Sequence, residues 1–286
     1  MRIKLLVLIA GILCFGFVAS IAIAAPKVIV TEKDKLILQE KFNKFSSRHD
    51  LSVGELMYRI GLDFEGTPYV AKTLDLNAEE NLVINLREFD CTTFVENCLA
   101  IALSLKNGEP TFDQFITQLE RIRYRNGRLD GYSSRLHYFS EWITDNETKG
   151  IVKDITVNLG GIRHPVLLNF MGTHPDFYAQ LKEDPLQIVR IKQIEKKVSA
   201  HPFYFIPKEM ISDQETKMMD GDIIALTTRI PGLDVSHLGL ISKKNGEVFL
   251  LNASSTGGKV ELTRFPLVEY LKGLKNVTGI FVVRSK

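Results

Sequence analysis

Apolar residues three and four apart mark helices through the first half of the chain, and strand-like runs take over in the last quarter. Leu36, Leu38, Phe42 and Phe45, then Leu51, Leu56, Met57 and Ile60, predict two helices between residues 32 and 61. Ser52 and Glu55 form a capping box for the second. Phe94, Val95, Cys98, Leu99 and Ala102 lie on one stripe of a helix that begins at Cys91, with Asp90 as N-cap. Phe112, Phe115, Leu119 and Ile122 predict another over residues 111–125. Residues 82–86 read as a short strand leading into the Cys91 helix. Residues 222–227, 237–243, 248–252 and 278–284 read as strands, and Asn245-Gly246 as a two-residue type I′ turn. The stretch from 150 to 215 holds three His-Pro pairs and reads as loops and helices with a short strand. Helices followed by an antiparallel sheet make the fold class α+β.

The first 25 residues stand apart. Arg2 and Lys4 precede an apolar run, and Ala22-Ile23-Ala24 makes a small-residue cleavage site, the pattern of a secretory signal peptide. Cys14 falls inside it behind Leu13, which is too large for a lipoprotein site, so the expectation is a soluble exported protein without stable membrane insertion. The remaining 260 or so residues suffice for one large domain or two small ones. Lys+Arg 36 against Asp+Glu 34 gives a net charge of +2, with nothing that points to nucleic acid.

Two cysteines remain. Seven residues apart on one helix, Cys91 and Cys98 are separated by about 10 Å of rise, too far for a disulfide. Cys98 lies on the apolar stripe and reads as packing. Cys91 is either a structural residue or a nucleophile. In the first turn of a helix, unpaired N–H groups and the helix dipole favour the thiolate, which predicts a lowered thiol pKa.

A cysteine nucleophile needs a base, commonly a histidine oriented by a third polar group. His237, at the start of a strand, is either that base or an ordinary strand-end residue. Counting outward from Asn245-Gly246 pairs Lys244 with Glu247, Gly239 with Asn252 and His237 with Ser254. Asn252 is then diagonal to His237 on one face and able to orient its imidazole. Arg123, Tyr132, Arg135, His137, Tyr138 and Trp142 concentrate arginines and aromatics in residues 123–142. That stretch reads as a cleft wall that stacks sugars and forks carboxylates, or as a solvated connection. Zinc-finger spacing, an H-E-x-x-H helix, a Gly-rich phosphate loop and G-x-S-x-G are all absent from the sequence. No metal or cofactor is expected.

Gly66-Thr67-Pro68-Tyr69, Phe89-Asp90-Cys91-Thr92-Thr93-Phe94-Val95, Gly221-Asp222-Ile223-Ile224, His237-Leu238-Gly239-Leu240-Ile241 and Leu251-Asn252-Ala253-Ser254-Ser255 follow in order. In this order they resemble the NlpC-type, papain-like cell-wall cysteine hydrolases. The resemblance covers residues 64–103 and 218–284 as a core, with residues 104–217 as an insertion within a single domain over 26–286. It implies a papain-like core in which Cys91 is the nucleophile, His237 the base, Asn252 the third polar residue and Tyr69 a neighbour of the nucleophile. The gap between Tyr69 and Cys91 is longer than in the common endopeptidase branch. Arg135-Leu136-His137-Tyr138, Trp142 and Asn169-Phe170-Met171 resemble the N-acetylmuramoyl-L-alanine amidase-like branch. That branch implies hydrolysis of the amide between the muramic lactyl group and L-alanine, on soluble muropeptides with the 1,6-anhydro sugar as the expected form, in the periplasm. A γ-D-glutamyl-diamino acid endopeptidase and a non-catalytic muropeptide-binding protein are the alternatives.

Overall fold

The computed structural model describes residues 27–286, apart from 78 and 109. The expected signal peptide, with Cys14, lies outside the described residues. Among the described residues no helix is long and apolar enough to cross a membrane.

Four capped helices lead the chain. Thr31, Ser52, Asp90 and Thr111 each accept from the backbone N–H three residues on, starting α1 (Glu32–Phe45), α2 (Val53–Asp63), α3 (Cys91–Lys106) and α4 (Phe112–Arg123). The strand expected over residues 82–86 is only β2 (Leu82–Val83), paired in parallel with β1 (Val28–Ile29). It stops because Asp34 of α1, fully buried, takes over the following backbone. Its Oδ1 accepts from the Leu86 N–H at 2.8 Å and from Arg87 Nε at 3.0 Å. This contact fixes the loop that delivers Cys91.

The middle of the chain holds more regular structure than its sequence suggests. It contains α5 (Phe139–Thr148), β3 (Val152–Asp154), β4 (Ile162–His164), the short helices α6 (Phe170–Thr173) and α7 (Ala179–Glu183), α8 (Pro185–Ser199) and β5 (Phe203–Pro207). The basic–apolar alternation of residues 188–198 is the surface of one continuous helix, buried at Ile191, Glu195 and Val198.

Then come β6 (Ile223–Thr228), β7 (Val235–Lys244), β8 (Glu247–Ser254), β9 (Lys259–Leu262), α9 (Leu267–Lys272) and β10 (Val277–Ser285). The sheet runs β4-β5-β10-β6-β7-β8-β9, every pair antiparallel, and β3 also pairs with β10. The residues read as an insertion therefore contribute strands to the main sheet. All six residues of β6 are buried. Ile223 and Ala225 pack toward the helices, while Ile224 and Leu226 pack with Leu267 and Leu271 of α9 on the opposite face.

The helix bearing Cys91 is braced from both sides. Phe89 makes edge contacts with Phe64 at 5.0 Å and with Phe94 at 5.9 Å. Gly221, at φ +81, lets the turn before β6 approach α2: a Cβ there would lie 1.9 Å from the Gly54 carbonyl oxygen. Asn245 and Gly246, at φ 52 and 86, form the expected turn, and the ladder runs from Lys244↔Glu247 to Leu240↔Leu251. The further pairs expected at Gly239–Asn252 and His237–Ser254 do not form. The two strands part there: Asn252 and Ser254 pair with Glu261 and Lys259 of β9, and His237 with Leu226 of β6.

Candidate active site

Cys91 is the first residue of α3. The reciprocal Asp90–Thr93 cap leaves its own backbone N–H free of intrahelical partners: the Thr93 N–H donates to Asp90 Oδ1 at 2.7 Å, and the Asp90 N–H donates to Thr93 Oγ1 at 2.9 Å. The sulfur borders a narrow cleft of about 160 Å³ between α3, the start of β7 and residues 136–142. His237 lies on the β7 wall of the same cleft.

Although the ladder has ended, the side chains of His237 and Asn252 meet, with His237 Nε2 2.8 Å from Asn252 Oδ1. The Asn252 Nδ2 donates to the Leu250 and Glu261 carbonyls, both at 3.3 Å, which turns its oxygen toward the ring. Asn252 is 1% exposed. The assignment gives Nε2 the proton and leaves Nδ1 as an acceptor. The expected meeting of His237 and Asn252 is therefore present, but through a side-chain contact beyond the ladder rather than through the predicted pairing. Tyr69 is here too. Its strand-like bridge to Phe89 ties it to the loop before Cys91, and burial, followed by the proximity of the ionisable Cys91 and Asp90 side chains, raises its phenol pKa.

The expected low thiol pKa is not found. Burial pushes the Cys91 thiol up to about 11, and the neighbouring Asp90 carboxylate adds to the rise. Donation from the Leu238 N–H works the other way and does not overcome them. Burial likewise lowers His237 below its ordinary value. Near neutral pH the resting pair is thiol and neutral imidazole. We expect alkylation of Cys91 by iodoacetamide to rise with pH to a midpoint near 11, measured against a Cys91→Ala background. A rate already at its plateau at neutral pH would contradict this ground state.

The arginine and aromatic residues of 123–142 divide. Arg123, 1% exposed, donates through Nε to Glu96 at 2.6 Å and through Nη1 to the Val83 carbonyl at 2.7 Å. It is an internal tie, not a free fork for carboxylates. Arg135 is held by Asp75 and Glu80, whose charges raise its pKa despite burial, and it lies over the Tyr132 ring at 4.9 Å. Tyr138 donates to Glu195 at 2.7 Å while accepting from the Met171 N–H. Trp142 is 1% exposed and stacks on Phe139 at 5.0 Å, yet both border the Cys91 cleft. His137 Nε2 lies 2.9 Å from the Tyr132 carbonyl, and burial, then the Arg135 charge, hold its pKa well below the ordinary value.

Leu136, His137 and Thr92 also border a second hollow of about 170 Å³, which holds Arg135, Asp75, Tyr132 and Lys72. The two hollows adjoin across those shared residues. The sequence does not single out Asp234, which is 3% exposed on the Cys91 cleft. Its carboxylate accepts from the Ser140 N–H at 2.6 Å and the Val235 N–H at 2.8 Å, joining the first turn of α5 to the start of β7. Its one visible signal is an acid just ahead of a strand. Among the described residues no three His, Cys, Asp or Glu side chains are grouped to hold a metal.

The family model for AmiA-like, N-acetylmuramoyl-L-alanine amidase-like proteins matches residues 59–280. No curated protein matches the chain. Among solved structures, an N-acetylmuramoyl-L-alanine amidase from Bacteroides uniformis ATCC 8492 is 38% identical, with a TM-score of 0.78 over 82% of this chain and 99% of its own. A Bacteroides fragilis structure, whose name assigns it provisionally to the xylanases, is 43% identical, with a TM-score of 0.75 over 78% of this chain and 98% of its own. A Legionella pneumophila protein, 23% identical with a TM-score of 0.68 over 88% of this chain and 95% of its own, shares the fold. The chain belongs to the AmiA-like family of N-acetylmuramoyl-L-alanine amidase-like hydrolases.

Proposed function

We propose that the protein is an exported, periplasmic cysteine amidase that cuts the bond between N-acetylmuramic acid and L-alanine in soluble muropeptides, the 1,6-anhydro form included. The observation that carries this reading is the 2.8 Å His237–Asn252 contact on the cleft that Cys91 borders from a helix N-terminus. The arrangement resembles that of NlpC-type, papain-like hydrolases.

Each residue then has a role set by its surroundings. Asn252 Oδ1 holds the Nε2 proton and keeps His237 in one tautomer. Nδ1 takes the thiol proton as Cys91 Sγ attacks the lactyl carbonyl carbon, so charge separates only during reaction. The oxygen of that carbonyl gains negative charge beside the free Cys91 N–H at the positive end of α3. The imidazolium returns its proton to the nitrogen of L-alanine as the C–N bond breaks, leaving a thioester and a free peptide amine. His237 next activates water, which releases the muramic carboxylate and restores the thiol. Glycoside hydrolysis, the chemistry of a xylanase, needs two carboxylates flanking a sugar bond. The acids that line the two hollows are already engaged: Glu96 by Arg123, Asp75 by Arg135, Asp90 by the Thr93 cap and Asp234 by the Ser140 and Val235 N–H groups.

The test is substrate protection combined with product masses. A soluble muropeptide is expected to slow iodoacetamide labelling of Cys91, and full labelling is expected to abolish release of the L-alanine peptide. Undiminished release by fully labelled protein would exclude the cysteine mechanism.

A further inference from the structure

The second hollow beside the Cys91 cleft carries an unusual backbone. Lys72 sits at φ 62, a left-handed conformation that suits glycine and that lysine rarely adopts. The turn is closed by the Asp75 N–H donating to the Lys72 carbonyl at 3.0 Å, and Asp75 in turn pairs with Arg135. The loop is thus fastened to the wall of the hollow in a conformation that its own sequence does not favour. Backbone strain of this kind collects where a ligand is held.

Charge accounting singles out the same residue. Of the cations that border the hollow, Arg135 is matched by Asp75 and Glu80, and Arg123 by Glu96. Lys72 is exposed and makes no ion pair among the described residues, while Asp90, the remaining carboxylate on the hollow, is held by the Thr93 N–H and hydroxyl rather than by a cation. The neighbouring Cys91 cleft has Trp142, Phe139 and Tyr138 on its wall. The two halves of the substrate differ in the same way. The carboxyl of the muramic group is consumed in the scissile amide, so the sugar side is uncharged. Every remaining carboxylate is on the peptide.

We propose that Lys72 is a specificity-determining residue that receives a carboxylate of the peptide half of the substrate in the second hollow, with the sugar half toward Trp142. The proposal rests on the amidase reading above. Lys72 is an exposed residue bordering the hollow, so an ion pair made there is only partly shielded from water and its effect is moderate and falls with salt.

The test uses two muropeptides, one with free stem carboxylates and one with carboxamides in their place. Both are titrated calorimetrically into Cys91→Ala protein, alone and combined with Lys72→Gln, Lys72→Arg or Lys72→Gly. Lys72→Gln is expected to weaken binding of the carboxylate form on the order of fivefold and leave the carboxamide form unchanged. Lys72→Arg is expected to retain most of the preference. Lys72→Gly, which suits the left-handed backbone, is expected to lose the preference while melting no lower than its parent. Equal carboxylate-to-carboxamide ratios with and without Lys72 would overturn the proposal. Turnover of the same two substrates by the native enzyme reads the amidase activity separately. Absence of cleavage would count against that reading, while the binding ratio still decides the role of Lys72.

Discussion

Replacing Cys91 with alanine is expected to lower muropeptide turnover on the order of 10⁴-fold or more, the scale on which hydrolases lose activity with their nucleophile. The fold should survive the change. The first turn of α3 is capped by Asp90 and Thr93, and the sulfur itself makes no tie between elements comparable to the Arg123–Glu96 pair. The melting temperature is therefore expected to stay within a few degrees of the native value. This combination separates a nucleophile from a packing cysteine. Cys98, fully buried among the helices, provides the contrast. Enlarging or shrinking it should alter stability before it alters chemistry. A Cys91→Ala protein that melts normally and turns over at the native rate would remove the cysteine from the reaction.

The largest effect on stability is expected at Arg123. Arg123→Ala strands the Glu96 carboxylate, 2% exposed, without its partner and leaves the Val83 carbonyl without a donor. Breaking a buried pair in this way costs about 3–5 kcal/mol. For a chain of this size that corresponds to a fall in melting temperature on the order of 10 °C. The double replacement Arg123→Met with Glu96→Leu removes both charges and should recover much of the loss, because a buried ion pair contributes little beyond an apolar pair of similar volume. Calorimetric or circular-dichroism melts check both variants. If Arg123 instead read the substrate, Arg123→Ala would melt normally and raise KM alone.

These expectations show where local pattern was informative. The Asp90 cap, the start of α3 at Cys91 and the Asn245-Gly246 turn are decided by neighbours within four residues, and all are present in the structure. The turn also brought His237 and Asn252 together, although the ladder that should have carried them ends at Leu240↔Leu251. Local reasoning had less hold on properties set by distant partners. The dipole of α3 favours a thiolate at Cys91, but burial by β7 and residues 136–142 outweighs it. Arg123 and Arg135 have the composition of a carboxylate reader, yet acids from residues 75–96 occupy them. β3, β4 and β5 are three to five residues long and gain their place only by pairing in the sheet, so no periodicity announces them. Lys72 and Asp234 likewise emerge from backbone geometry and from hydrogen bonds that join separate elements.

The division of labour between the two hollows follows from the same geometry. Cys91, His237 and Asn252 stand where α3 meets β7 and β8. The residues that differ most in charge stand beyond Thr92, Leu136 and His137. On the proposed reading, chemistry and selection are adjacent but carried by different side chains, so a change at Lys72 is expected to alter substrate preference without touching the reacting pair.

Mass spectrometry of the products from one defined anhydro-muropeptide tests the central claim most directly. The amidase reading predicts two species: the intact anhydro sugar ending in a free lactyl carboxylate, and a stem peptide with a free L-alanine amine. Neither should form with Cys91→Ala. A sugar that still carries L-alanine and its neighbour after digestion, with the stem cut further along, would contradict it.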